Sequence, residues 1–499
     1  MTDALADALA GGLAGPVALG PLVKAALDGL AAGATRRAGA APAGTPEELA
    51  AHVVAEFGRD DADPIAVLRR LTAVLAYGST DPAEPACAAH LHCPPLAVAV
   101  AADLAVSALN PSQDSWDQSP AGTVLETALI RELAELVGYH PDHAAGVLTS
   151  GGTESNTTGL LLARDNILGR VFGRSVELDG LPSGTKPRIF ASAVAHFSIA
   201  RAASLLGLGE RTVIPVPVDR TLRMDPTALA TALTAAAEAG ETPMAVVATA
   251  GTTDTGAIDP LPALADLAAT HGAWLHVDAA YGGGALLSDR LAPLLHGIER
   301  ADSISLDWHK LGWQPAAAGI FLVRREETYA PLARRAAYLN PEDDEANGYF
   351  SLLGRSLRTT RRPDAFKIAI TLRVLGRRGL GELVDRCHAL AHHAAATIRT
   401  RPTLELHSDP ILSTVVFRYL PSDPTTTDRT NAELRRSLLR TGRAVVGRTE
   451  LPGTGPDRVR LKLTLLNPHT TPAQVDDLLT AVVEAGQDIE RGPGGRTAD

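Results

Sequence analysis

Aromatic side chains are scarce, at 4% of 499 residues, so a core must be filled mainly by Ala, Leu and Val. Cysteine is rarer still. Cys87, Cys93 and Cys387 form neither a CxxC pair nor a disulfide framework, which fits a reducing compartment. Blocks of Lys and Arg are missing too. The net charge of −11 comes from interspersed acids and bases, and without a basic stripe no nucleic-acid partner is expected. The longest apolar stretch, near Leu96 to Leu109, is interrupted by Asp103, which argues against a membrane span. Asp3 and Asp7 stand where an export signal would carry positive charge. There is no GxxxxGK[ST] loop, no GxGxxG fingerprint and no HExxH. The expectation is a cytoplasmic globular protein with neither membrane nor nucleic acid as partner.

What is present is enough chain for two or three structural units. Residues 1–85 read as an Ala/Leu-rich helical segment with a hinge around Ala38 to Thr45. A helix is expected over Thr123–Val137. After Gly146, short apolar runs alternate with amphipathic stretches. Strands are expected at Arg188–Ser192, Thr212–Val216, Met244–Ala248, Trp274–Val277, Ser303–Leu306 and Gly319–Val323. Helices are expected at Ser155–Val171, Ser198–Leu206, Pro226–Ala237 and Pro260–Thr270. Such alternation predicts a mainly parallel sheet covered by helices. A helical stretch at Ala365–Arg399 leads into strands at Thr414–Tyr419 and Val459–Thr464. With helices near Ala432–Thr441 and Pro472–Ala485 they form a small α+β domain. The expected divisions are 1–85, 86–375, 376–486 and a disordered tail, 487–499.

Five polar clusters fall at or beside the expected strand ends. Leu148-Thr-Ser-Gly-Gly-Thr-Glu-Ser-Asn156 offers glycines, hydroxyls and free N–H groups at a helix start, which suits a phosphate; an N-capped helix after a tight turn has the same look. His196, between a strand and a helix, can stack on a flat ring or serve structure alone. Ala248-Thr-Ala-Gly-Thr-Thr-Asp-Thr-Gly-Ala-Ile-Asp259 is a hydroxyl-rich turn. Asp278, in Trp274-Leu-His-Val-Asp-Ala-Ala-Tyr281, can pair with a protonated pyridine nitrogen or cap a loop. Lys310 ends Ser305-Leu-Asp-Trp-His-Lys310. Lysine is scarce among the 46 basic residues, and one partly desolvated at a strand end becomes a usable amine nucleophile. In a parallel sheet all five clusters converge at one rim.

These motifs, with Ala89-His-Leu-His-Cys-Pro94, Asp114-Ser-Trp-Asp-Gln-Ser-Pro120 and Arg358-Thr-Thr-Arg-Arg-Pro-Asp-Ala-Phe-Lys367, resemble the group II pyridoxal-phosphate-dependent decarboxylases. The likeness runs from about Ala89 to Pro468. It is nearest to bacterial members acting on 2,4-diaminobutyrate or, in siderophore pathways, lysine. The resemblance implies the aspartate aminotransferase-like fold type I, with a central, mainly parallel seven-stranded sheet. It implies pyridoxal 5′-phosphate as cofactor and a homodimer with the active site at the subunit interface. Carried over by position, Lys310 bears the cofactor as a Schiff base, Asp278 pairs with the ring nitrogen and His196 stacks on the ring. Gly152, Thr153 and His309 hold the phosphate, with Asp307 nearby, and Thr252 and Ala280 line the ring. His92, Trp116 and Gln118 are substrate candidates. Tyr349, with Tyr338 as runner-up, is the candidate proton donor on a loop over Asn340–Leu353. Where many aromatic-specific members have Asn-Pro before His-Lys, this chain has Asp307-Trp308.

The implied reaction removes CO2 from an L-amino acid, the substrate being a basic diamino acid: lysine, ornithine or 2,4-diaminobutyrate. Three rival readings remain from sequence: decarboxylation of an aromatic or acidic amino acid (Arg358, Arg361 and Arg362 lie near the site region), an oxidative deaminase or other lyase using the same cofactor, and a non-catalytic scaffold. Cys387, His388, His392 and His393 have ligand-like helical spacing but no accompanying motif, so no metal is expected.

Overall fold

Seven strands come from the alternating stretch. They are β1 (Ala145–Thr149), β2 (Pro187–Ser192), β3 (Val213–Val216), β4 (Thr242–Thr249), β5 (Trp274–Ala279), β6 (Ser303–Asp307) and β7 (Gly319–Val323). They form one sheet in the order β1-β7-β6-β5-β4-β2-β3. The pairs from β3 to β6 are parallel, and β7 runs antiparallel to both β6 and β1. The central strands are near-continuous apolar runs because helices cover both faces of such a sheet. This is the fold type I architecture. The computed structural model describes residues 3–59, 63–453 and 455–492. Two compact units result: Pro95–Asp385, which holds this sheet, and Met1–Pro94 together with Arg386–Asp499.

Helix signals in the sequence act as expected. Asp225 caps Pro226–Glu238 by accepting from the Thr227 and Ala228 amides, with Pro226 in the first turn. Thr471 and Gln474 form a capping box at the head of Pro472–Arg491. The helix after β1 starts earlier than the apolar pattern suggested, at Gly152, and gives way to a π-turn at Arg164–Leu168. The core of this unit packs Leu160, Leu162 and Leu168 against Ile189, Val247 and Phe321.

The other unit contains β8 (Leu404–Leu406), β9 (Thr414–Tyr419), β10 (Val445–Glu450) and β11 (Val459–Thr464). The two-residue strand Cys87–Ala88 pairs in parallel with Val445 and Val446. Residues 86–94 therefore lie with the C-terminal strands, not with the large domain expected from sequence. Within the long helical stretch Ala365–Thr400 the backbone breaks at Gly376 (φ 64°, ψ 171°), while the units divide later, between Asp385 and Arg386. Residues 487–491, expected to be disordered, complete the last helix; 493–499 lie outside the described residues.

The N-terminal segment is helical, as Gly15–Arg37, Pro46–Phe57 and Pro64–Gly78. The first of these corrects the reading of apolar runs: by length and composition alone it could cross a membrane. It packs along Pro64–Gly78. A Cβ on Gly29 or Gly33 would lie 2.5 Å from Arg69 O or 2.3 Å from Ala73 O, so only glycine permits this approach.

Candidate active site

The C-terminal ends of β1, β2, β4, β5 and β6 open onto one cavity of about 340 Å³. Its wall includes Gly152, Thr153, His196, Asp278, Ala280, Asp307, His309 and Lys310. Eight of the nine residues expected to hold a cofactor are thus gathered from four separate stretches of chain. The exception is Thr252. Its hydroxyl turns into its own loop, 2.8 Å from Thr255 Oγ1 and accepting from the Ala257 amide at 3.0 Å. Thr249, Gly251 and Thr253 stand on the wall in its place.

Lys310 follows β6 by one turn, and its Nζ lies 2.8 Å from Asp307 Oδ2. The two Asp278 oxygens are pinned separately. Oδ1 accepts from the Ala280 amide at 3.1 Å and Oδ2 from Asn156 Nδ2 at 2.8 Å. Asn156 comes from the first turns of the helix Gly152–Ala163, and its Nδ2 also reaches Ser198 Oγ at 2.9 Å. Its Oδ1 lies 3.0 Å from His276 Nε2. Asn156 was not singled out from sequence, since one amide inside a helix carries no local signal. Burial lowers the pKa of His196, with Asp278 opposing the shift, and holds His276 at about 4.

The loop after β1 closes tightly on the sheet. A Cβ at Gly319, the first residue of β7, would sit 2.5 Å from Gly151 N. A Cβ at Gly152 would meet Ala280 Cβ at 3.0 Å and Asp307 Oδ2 at 3.3 Å. Only glycine permits these approaches at both positions. Register places Thr249, Asp278 and Ser305 side by side on β4, β5 and β6. Thr249 Oγ1, Ser305 Oγ and Asp307 Oδ1 are buried without a hydrogen-bond partner among the described residues. A glycine cradle for an anion, a carboxylate for a ring nitrogen, a flanking imidazole and an amine fit pyridoxal 5′-phosphate.

The other candidates lie elsewhere. Trp116 packs on Tyr349 and Phe350, with ring centroids 6.3 and 5.1 Å apart. Tyr338 is 84% exposed. Gln118 lines a separate apolar cavity of about 760 Å³ with Val106, Leu109, Leu125 and Phe366. His92 belongs to the other unit. The three arginines are all engaged: Arg358 with Glu154, Arg361 with Glu126, and Arg362 with Asp103.

Fold and cavity together define a pyridoxal-phosphate enzyme of fold type I. The conserved domain of the pyridoxal-dependent decarboxylases matches residues 46–420, and the chain belongs to that family. It is 45% identical to L-2,4-diaminobutyrate decarboxylase of Rhizobium meliloti (strain 1021), over 82% of this chain and 79% of the relative. It is 37% identical to the enzyme of the same name from Acinetobacter baumannii, over 85% and 84%. Among solved structures it is similar to the glutamate decarboxylase domain of diaminobutyrate-pyruvate transaminase and L-2,4-diaminobutyrate decarboxylase from Vibrio parahaemolyticus. The TM-score is 0.87 at 34% identity, covering 97% of this chain and 99% of that one. The protein is a pyridoxal-phosphate-dependent amino acid decarboxylase.

Proposed function

We propose that the substrate is a basic diamino acid, with L-2,4-diaminobutyrate first in order, converted to 1,3-diaminopropane and CO2. One observation carries this reading beyond the names of the relatives. Arg358, Arg361 and Arg362 are each tied to a carboxylate and none lines the cavity, so among the described residues a distal carboxylate finds no arginine there. That speaks against glutamate-like substrates. Asp307-Trp308 before His309-Lys310 speaks against aromatic ones. Purified holoenzyme is offered a panel of L-amino acids and CO2 and amine are measured. Preference for glutamate, aspartate, tryptophan or tyrosine over the diamino acids overturns the reading.

The bound cofactor supplies the electron sink for the pair left when the Cα–carboxylate bond breaks. In the proposed roles, Lys310 provides the amine that tethers it. Asp278 keeps a proton at the ring nitrogen, and His196 covers the ring face. Gly152, Thr153 and His309 hold the phosphate. Tyr349, outside the cavity on a segment docked against Trp116, is the proposed source of the proton for Cα, which requires that segment to move to the cavity.

The working form is taken to be a cytoplasmic homodimer. The apolar cavity beside Leu109 and Leu125, with Leu109 74% exposed, supports a partner copy. The small number of cysteines, with no CxxC pair or disulfide framework in their spacing, supports a reducing compartment.

A further inference from the structure

We infer that Asn156 is a positioning residue which sets the polarity of a buried hydrogen-bond chain, aiming donors at Asp278 and fixing His196 and His276 as their Nε2–H tautomers. The inference rests on the reading of Asp278 as the partner of the ring nitrogen.

The chain starts on one face of β5, where Trp274, His276 and Asp278 alternate with residues pointing to the opposite face. Indole N–H can only donate, and Trp274 Nε1 donates to Ser303 Oγ at 2.8 Å. Ser303 Oγ is also 2.8 Å from His276 Nδ1, and His276 Nε2 is 3.0 Å from Asn156 Oδ1. Asn156 Nδ2 then touches both Asp278 Oδ2 and Ser198 Oγ. Ser198 Oγ lies 2.9 Å from His196 Nδ1, which also accepts from the Ser198 amide at 3.3 Å.

An ionised carboxylate only accepts, so Asn156 must turn its NH2 to Asp278. Its second hydrogen then goes to Ser198, whose own hydrogen is left for His196 Nδ1. The Asn156 oxygen must accept, so His276 donates from Nε2 and its Nδ1 receives the Ser303 hydroxyl hydrogen. Every group thus has one consistent direction. Burial keeps His276 neutral, as this direction requires. Space for the imidazole is made by Gly159, where a Cβ would stand 2.6 Å from His276 Nδ1. Reversing Asn156 would face a carbonyl oxygen toward the carboxylate and invert both branches.

The test uses the full-length chain labelled with 15N-histidine, before and after pyridoxal 5′-phosphate is added. Signals are assigned through His196→Gln and His276→Gln. Both rings should read as neutral Nε2–H in either state; Nδ1–H at His276 or His196 overturns the inference. Asn156→Asp supplies a second readout. Relative to wild type at the same pH, its cofactor dissociation constant should rise at least tenfold at pH 8. It should recover toward pH 6, where a protonated carboxyl can again donate to Asp278. The ionisable groups around it are His196, His276, Asp278, Asp307 and Lys310, and the ratio to wild type cancels the titrations both proteins share. A ratio flat with pH also overturns the inference. If Asn156→Asp does not fold, the wild-type tautomers decide alone. A wild-type chain that never takes up the cofactor defeats the proposed function but leaves the tautomer result standing on its own.

Discussion

Lys310 and Asp307 form an ion pair across one turn, with Nζ 2.8 Å from Oδ2 and the carboxylate only 2% exposed. The amine that the proposed chemistry needs is thus matched to a buried counter-charge, and each is costly to leave alone.

Lys310→Ala should abolish CO2 release and the covalent link to the cofactor, seen by mass spectrometry after borohydride reduction. It should also destabilise the cofactor-free chain by about 2 kcal/mol, less than for a fully buried pair because the lysine is partly exposed. Adding Asp307→Asn should restore part of that loss in urea unfolding. No recovery in the double variant would deny the coupling.

His276 gives a pH dependence with a definite sign. Its folded pKa, about 4, lies below the ordinary 6.5, because burial disfavours the charged ring. Its contribution to stability is complete above pH 6.5 and is lost as pH falls toward 4. The loss is on the order of 3 kcal/mol across that range. Urea unfolding at pH 7.5 and 5 should show wild type losing more stability than His276→Gln.

Arg361 and Glu126 are both almost fully buried, with Nη1 2.7 Å from Oε1, and Glu126 also accepts from the Leu148 amide of β1 at 3.0 Å. Arg361→Met leaves that carboxylate uncompensated beside β1. A loss of about 3–5 kcal/mol is expected in denaturant unfolding. A change below 1 kcal/mol would mean that the pair contributes little.

Tyr349→Phe should lower kcat by about 100-fold or more while cofactor affinity stays unchanged, as for loss of a positioned acid. Tyr338→Phe should be near neutral. Trp116→Ala, which removes the ring on which Tyr349 and Phe350 rest, should lower kcat by a smaller factor. Equal effects of the two tyrosine substitutions would refute the assignment.

Leu109→Asp should shift a dimer toward monomer in sedimentation velocity, since it charges the rim of the apolar cavity beside Leu125 and Phe366. An unchanged sedimentation coefficient would place any partner copy elsewhere.

Much of this architecture was readable from the sequence where one pattern dominated. β7 falls at the expected residues because Gly-Ile-Phe-Leu-Val is a short apolar run opened by glycine. β1 was missed: Ala145-Gly-Val-Leu-Thr is brief, and its glycine weakens the strand pattern. β10 was missed because Arg448 and Glu450 interrupt its apolar character. Most of the candidate residues at strand ends line one cavity, since a parallel sheet brings such ends together. Thr252 and Thr253 are chemically alike, and only the backbone of the turn decides which one faces the cavity. Asn156 acts through partners about 40 and 120 residues away, a relation that no local window contains.

The level row of Thr249, Asp278 and Ser305 has a wider consequence. Strands are held about 4.8 Å apart by amide ladders, and slipping one past its neighbour by a single residue turns its side chains to the other face. Such a slip would present Val277 or Ala279 where the acid stands. The place of the Asp278 carboxylate, the proposed partner of the ring nitrogen, is therefore locked by main-chain pairing, and any retuning toward a longer or shorter diamino acid has to come from the loops at the rim.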